Sequence, residues 1–156
     1  MHFQIIEISD EPISKDKWVS DFTLYEDATI AENTDYVGDL YNEEERKGFI
    51  RDSLPVLFKG IADVDLEKET ITFKSKEECR RTLLEEKKKI LDIILEDMID
   101  KGNCSFYPLR NYGKDYKDWP QLFYRDGGLT SAQFIEDAPY YAGKTMYIGA
   151  IYDAHY

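Results

Sequence analysis

Two cysteines and two histidines in 156 residues leave little room for thiol, zinc or imidazole chemistry. Cys79 and Cys104 lack the paired short-range ligands of a zinc site. They fall near opposite ends of one expected helix, which at ~1.5 Å rise per residue holds them ~35 Å apart, beyond disulfide reach. Both are expected as reduced thiols serving as small buried apolar groups. No run approaches the ~18 apolar residues of a membrane span. The start, Met1 to Pro12, has neither a cationic n-region nor an apolar h-region. Also missing are a phosphate-cradling glycine loop and the HExxH, CxxC and GxSxG signatures. The expectation is a cytoplasmic protein with no membrane contact, no cofactor and no resident metal.

The most telling shortage is of positive charge. From Trp18 to Glu45 there is no lysine or arginine, against nine acids: Asp21, Glu26, Asp27, Glu32, Asp35, Asp39, Glu43, Glu44 and Glu45. Residues 1–48 hold 13 acids and four bases, so this first third carries nine of the chain's twelve excess negative charges. Self-repulsion destabilises such a stretch, while its field attracts cationic partners. Direct binding of duplex DNA is disfavoured, because phosphates are held by Lys and Arg.

What is present is enough for a core. The hydrophobic share is 42% and the aromatic share 14%, which argues against disorder, and the length suits one domain spanning 1–156. Phe3 to Ile8 reads as a first strand. Asn42 followed by Glu43, Glu44 and Glu45 reads as a capped helix start running towards Ile50 and Leu54, with Gly48 weakening it and Pro55 interrupting it. Val56–Phe58 and Gly60–Val64 read as a strand, and Thr70–Phe73 as its returning partner. Ser75 with Glu78 is a capping box, and Gly102 a stop, for a helix over 76–101. Leu122–Tyr124 reads as a short strand, and Thr145–Tyr152, almost continuously apolar, as a central one. No period emerges between Trp18 and Val37. The expected class is α+β: a mainly antiparallel sheet of the N-terminal strand, the central hairpin and the C-terminal strand, covered by the long helix.

Three constellations bear on chemistry. Asp63, Asp65, Glu67 and Glu69 alternate as in a calcium loop, but Lys68 stands at the glycine position and Lys74 at the closing glutamate, so a hairpin turn is the better reading. Asp153 and His155 on an extended strand share a face, where the carboxylate orients the imidazole, and pairing of the first and last strands brings His2 close as well. Phe106 to Arg125 interleaves seven aromatics with cations. Arg110, Tyr112, Lys114, Tyr116, Lys117, Trp119 and Arg125 there suit a single-stranded nucleic acid or a second protein partner.

In charge and length the chain is similar to the acidic phosphate-mimicking inhibitors that phages and mobile elements use against restriction or CRISPR enzymes. The likeness implies an interaction or inhibitor module whose acids, with Trp18, Tyr36 and Tyr41 as anchors, face the basic surface of a nucleic-acid-handling protein. The alternatives are a small metal-dependent nuclease or hydrolase using Asp153, His155 and Asp126 or Glu136 on RNA or single-stranded DNA, and an accessory domain of unknown partner.

Overall fold

Apolar, β-branched runs near the two ends of the chain make the strands at the centre of the sheet. The structure is a computed structural model that describes residues 2–100, 121–124, 127–128 and 141–155. Its elements begin with β1 (His2–Ser9), α1 (Asp21–Glu26), α2 (Ala28–Asn33), β2 (Tyr36–Leu40) and α3 (Glu43–Gly48). A π-turn over Phe49–Ser53, α4 (Leu54–Leu57), β3 (Ala62–Asp65), β4 (Thr70–Phe73) and α5 (Lys76–Asp100) follow. The last are β5 (Gln121–Tyr124), β6 (Gly127–Gly128) and β7 (Thr145–His155). The fold is α+β, with one long helix and a seven-stranded, mostly antiparallel sheet of order β3-β4-β7-β1-β5-β6.

β7 organises the sheet. One of its edges pairs antiparallel with β1 along its length, from His2 opposite His155 to Ser9 opposite Tyr147. The other edge is shared: β4 pairs with its start and β2 with its end. β5 lies parallel to β1. The alternation of each strand then sorts the core into two faces. Phe3, Ile5, Ala150, Tyr152 and Ala154 pack with Val19, Leu24 and Ile30 from the loop before α1, α1 and α2. Ile6, Ile8, Met146, Ile148 and Ile151 pack on the opposite side with Ile50, Leu54 and Phe58.

That second face is where sequence and structure differ. α5 contributes Cys79 and Leu83 to it, and burial pushes the Cys79 thiol up from its ordinary range. Ile50, Leu54 and Phe58, from the π-turn through the end of α4, cover more of it, with Ile61 and Tyr141, so Val56 and Leu57 are helical and the strand begins at Ala62. Pro55 has no N–H to donate. The chain widens into the π-turn just before it, with the Leu54 N–H reaching back to the Phe49 carbonyl, and the helix continues. Gly48 likewise leaves the helical course intact. Ile50, Leu54 and Phe58, four apart, thereby stay on one buried stripe.

The capping signals are realised. Asn42 Oδ1 accepts from the N–H groups of Glu44 and Glu45, and Glu45 reaches back to the Asn42 N–H at 2.9 Å. Ser75 and Glu78 form the same reciprocal pair at the head of α5. The bonds from Ser75 hold the Glu78 carboxyl below its usual range. The carboxylate-rich turn is a hairpin turn, with Asp65 Oδ1 accepting from Glu67 and Lys68 at 3.0 Å each.

Between β2 and β4 the shared edge of β7 has no strand partner among the described residues, and a side chain fills the gap. Arg46, 2% exposed, donates from Nε to Gly149 O (2.7 Å) and from a terminal nitrogen to Ile148 O (2.6 Å). Its other terminal nitrogen pairs with Glu69 at 2.8 Å, and its guanidinium lies 4.9 Å from the centre of the Trp18 ring. Opposite, Glu7 faces a β-bulge: Gly149 and Ala150 together oppose this one residue of β1. Glu7 Oε2 accepts from Val19 N at 3.1 Å and Ala150 N at 3.0 Å.

Gly60, after α4, has a φ of +79°, and a Cβ there would stand 2.9 Å from two atoms of Thr82 on α5. Thr82 Oγ1 also donates to the Gly60 carbonyl. Gly60→Ala is expected to cost roughly 1–3 kcal/mol, since it adds left-handed strain and crowds this joint. A urea midpoint equal to that of the parent protein would contradict this account.

Candidate functional site

The base-free segment folds by satisfying its own helix ends. Ser20 caps α1 through the Thr23 N–H at 3.2 Å. Asp27 ends α1 and accepts from Ile30 N at 3.0 Å, capping α2. Leu24 and Ile30 turn inward, while Asp21, Glu26, Asp35, Asp39, Glu43, Glu44 and Glu45 are exposed and Asp27 is half-buried. β2 then docks on the end of β7, Tyr41 N bonds to Ile151 O at 2.9 Å, and Asn42 opens α3. Within the segment, β2 takes the end of one edge of β7, and α1 and α2 pack over the first core face beside it.

The nine carboxylates divide by task. Asp27 and Glu45 serve as caps. Glu43 meets Lys47 at 3.4 Å, an exposed i,i+4 pair of ~0–1 kcal/mol. Asp35 stands 3.8 Å from His155. Asp21 accepts from its neighbour Phe22 N at 2.8 Å. Glu26, Asp39 and Glu44 are exposed and make no ion pair among the described residues. Glu32 lies in α2, its side chain outside the described set. Arg46, the first base after the run, is buried at the sheet edge rather than set against these acids.

The aromatic side chains divide too. Trp18 is turned inward, half-buried against the first core face and over Arg46. Tyr41 is half-buried, and burial, with Asp153 and Glu45 nearby, raises its hydroxyl above the ordinary range. Tyr36 is 44% exposed and Tyr25 47%. The Tyr25 hydroxyl donates to Val37 O and accepts from Val37 N, each at 3.0 Å, covering the free edge of β2. Phe22 and Leu40, both exposed, join them. Sequence reasoning did not single these two out, because apolar residues in a segment without periodicity carry no directional signal.

Beside this edge, β1 and β7 bring the histidines together. His2 Nδ1 lies 2.9 Å from Asp153 Oδ2, and the His2 and His155 rings meet edge-on at 5.2 Å. His155 stacks on Tyr36 at 5.4 Å. Among the described residues no group of three or more His, Cys, Asp or Glu is arranged to hold a metal ion. Asp126 and Glu136, the other carboxylates of the hydrolase expectation, lie outside the described residues. So do Cys104 and the whole aromatic–cationic set of Arg110, Tyr112, Lys114, Tyr116, Lys117, Trp119 and Arg125. No helix among the described residues is long and apolar enough to cross a membrane.

Compared with protein-family models, with curated proteins and with solved structures, the chain finds no match.

Proposed function

We propose that the chain is a protein-binding module whose acid-only segment presents carboxylates, in place of a nucleic-acid backbone, to the basic surface of a nucleic-acid-handling protein. One observation carries the reading: α1 packs against β2, β2 lies on the end of one edge of β7, and α3 follows directly after it. They expose Asp21, Glu26, Asp39 and Glu44 together with Phe22, Tyr25, Tyr36 and Leu40. Carboxylates steer a cationic partner in, and the aromatic and apolar groups between them slow its release. The chemistry resembles that of counter-defence inhibitors from phages and mobile elements, and the cytoplasm is the compartment that fits it.

The test is capture of basic nucleic-acid-handling proteins, followed by affinity measured across a salt series. Affinity is expected to fall steeply as salt rises. The triple variant Glu26→Lys, Asp39→Lys, Glu44→Lys is expected to lose at least tenfold in affinity, about 1.4 kcal/mol, with its unfolding midpoint nearly unchanged because these side chains support no cap. Salt-independent affinity, or full binding by the triple variant, overturns the reading. The hydrolase alternative draws on the His2–Asp153–His155 cluster. Cleavage of labelled RNA or single-stranded DNA with Mg²⁺ or Mn²⁺, abolished by His155→Ala, would favour it instead.

A further inference from the structure

α5 offers a second surface, remote in kind from the acidic edge. Its first turns are anchored: Cys79 is in the core, and Thr82 bonds to Gly60. Further along, Leu84, Leu91, Leu95 and Ile99 are 54%, 36%, 43% and 77% exposed. At 100° per residue these four lie within one stripe, with Lys88 completing its i, i+4, i+7 spacing. Among the described residues this stripe of large aliphatic side chains is left exposed, and such a surface calls for a cover.

The charges along the helix identify the cover. Lys76–Lys89 holds six bases and four acids, net +2, whereas Ile90–Asp100 holds four acids and no base, net −4. The sign changes between Lys89 and Ile90, midway along the exposed stripe. A helix that is basic at one end and acidic at the other is complementary to itself only when reversed. We infer that α5 pairs antiparallel with the α5 of a second copy, about a two-fold axis near Lys89–Ile90.

That axis places Leu84 opposite the second copy's Leu95, and Lys87 and Lys88 beside the second copy's Asp92. Arg80 and Arg81 fall among Glu96, Asp97 and Asp100 of the second copy. Each contact occurs twice, as a closed two-fold interface requires. Parallel pairing would stack bases on bases and acids on acids, so the charge order also sets the direction. The acidic edge lies on other elements and takes no part.

Sedimentation equilibrium of the full chain over a micromolar concentration series tests this. The expected mass is twice the 18.3 kDa of one chain, falling to one chain for Leu91→Asp with Leu95→Asp. A second arm leaves the apolar residues alone. Arg80→Glu with Arg81→Glu, and separately Glu96→Lys with Asp97→Lys, are each expected to weaken self-association at least tenfold. Mixing the two variants restores a complex, because the doubly reversed contact and the unaltered one are then both attractive. A single-chain mass throughout the series overturns the proposal. So does a dimer indifferent to all of these substitutions, or two charge variants that fail to rescue each other.

Discussion

Arg46→Ala is expected to lower unfolding free energy by about 2–5 kcal/mol. Where β2 ends and β4 has yet to begin, no strand among the described residues lies on the outer edge of β7, and Arg46 supplies donors to Ile148 and Gly149. Truncation leaves both carbonyls buried without a donor, at ~1–3 kcal/mol each when no relaxation helps. It also opens a void beneath Trp18. Glu69 is 32% exposed at its side chain, so its carboxylate is rehydrated and adds little to the loss. Arg46→Met, which keeps most of the volume and removes the donors, separates packing from hydrogen bonding. Urea unfolding of the three proteins decides it. Losses below ~1 kcal/mol in both variants would mean that the carbonyls find other partners.

Gly149→Ala is expected to cost about 2–4 kcal/mol, combining overpacking with the loss of buried hydrogen bonds. A Cβ at this position would coincide with the Glu7 carboxylate and press on Ile13. The end of a flexible side chain usually moves aside at small cost. Glu7 is held by two backbone N–H groups in a site where it is 1% exposed, so displacement strips both donors. In a Glu7→Ala background the added methyl enters vacated space, and its penalty should shrink to a few tenths of a kcal/mol. A double-mutant cycle with coupling near zero would refute the contact.

Legibility in the sequence followed the range of the interaction. Asn42 and Ser75 announced their helices because a cap is settled within four residues, and β7 announced itself because burial on both faces leaves an unbroken apolar run. β2 went unread: Tyr-Val-Gly-Asp-Leu has a glycine and an acid inside five residues, and it is a strand only because β7 offers it an edge. Val56 to Phe58 has the composition of a strand, and the helix claims its first two residues because the π-turn accommodates Pro55. The histidine cluster was readable conditionally, since alternation along β7 placed Asp153 with His155 and strand pairing added His2. Arg46 and Glu7 were not read as buried. The sign lay in Glu7 itself, a carboxylate within Ile-Ile-Glu-Ile on the same face as Phe3 and Ile5, where alternation demands burial and burial demands donors. Trp18, an aromatic beside acids, looked like an anchor from composition alone, but the cation it meets is the chain's own.

The strand order has a consequence for how the molecule assembles. Contacts joining β1 to β7 span up to 153 positions, from His2 to His155. Closing so large a loop adds only logarithmically to the entropic cost, yet it slows the search. The hairpin and α5 can form locally while Phe3 to Ile8 still waits for its neighbour. During that interval an unpaired apolar segment invites other molecules, and the adjoining density of negative charge repels them. The same carboxylates thus guard the nascent sheet before they are available to any partner.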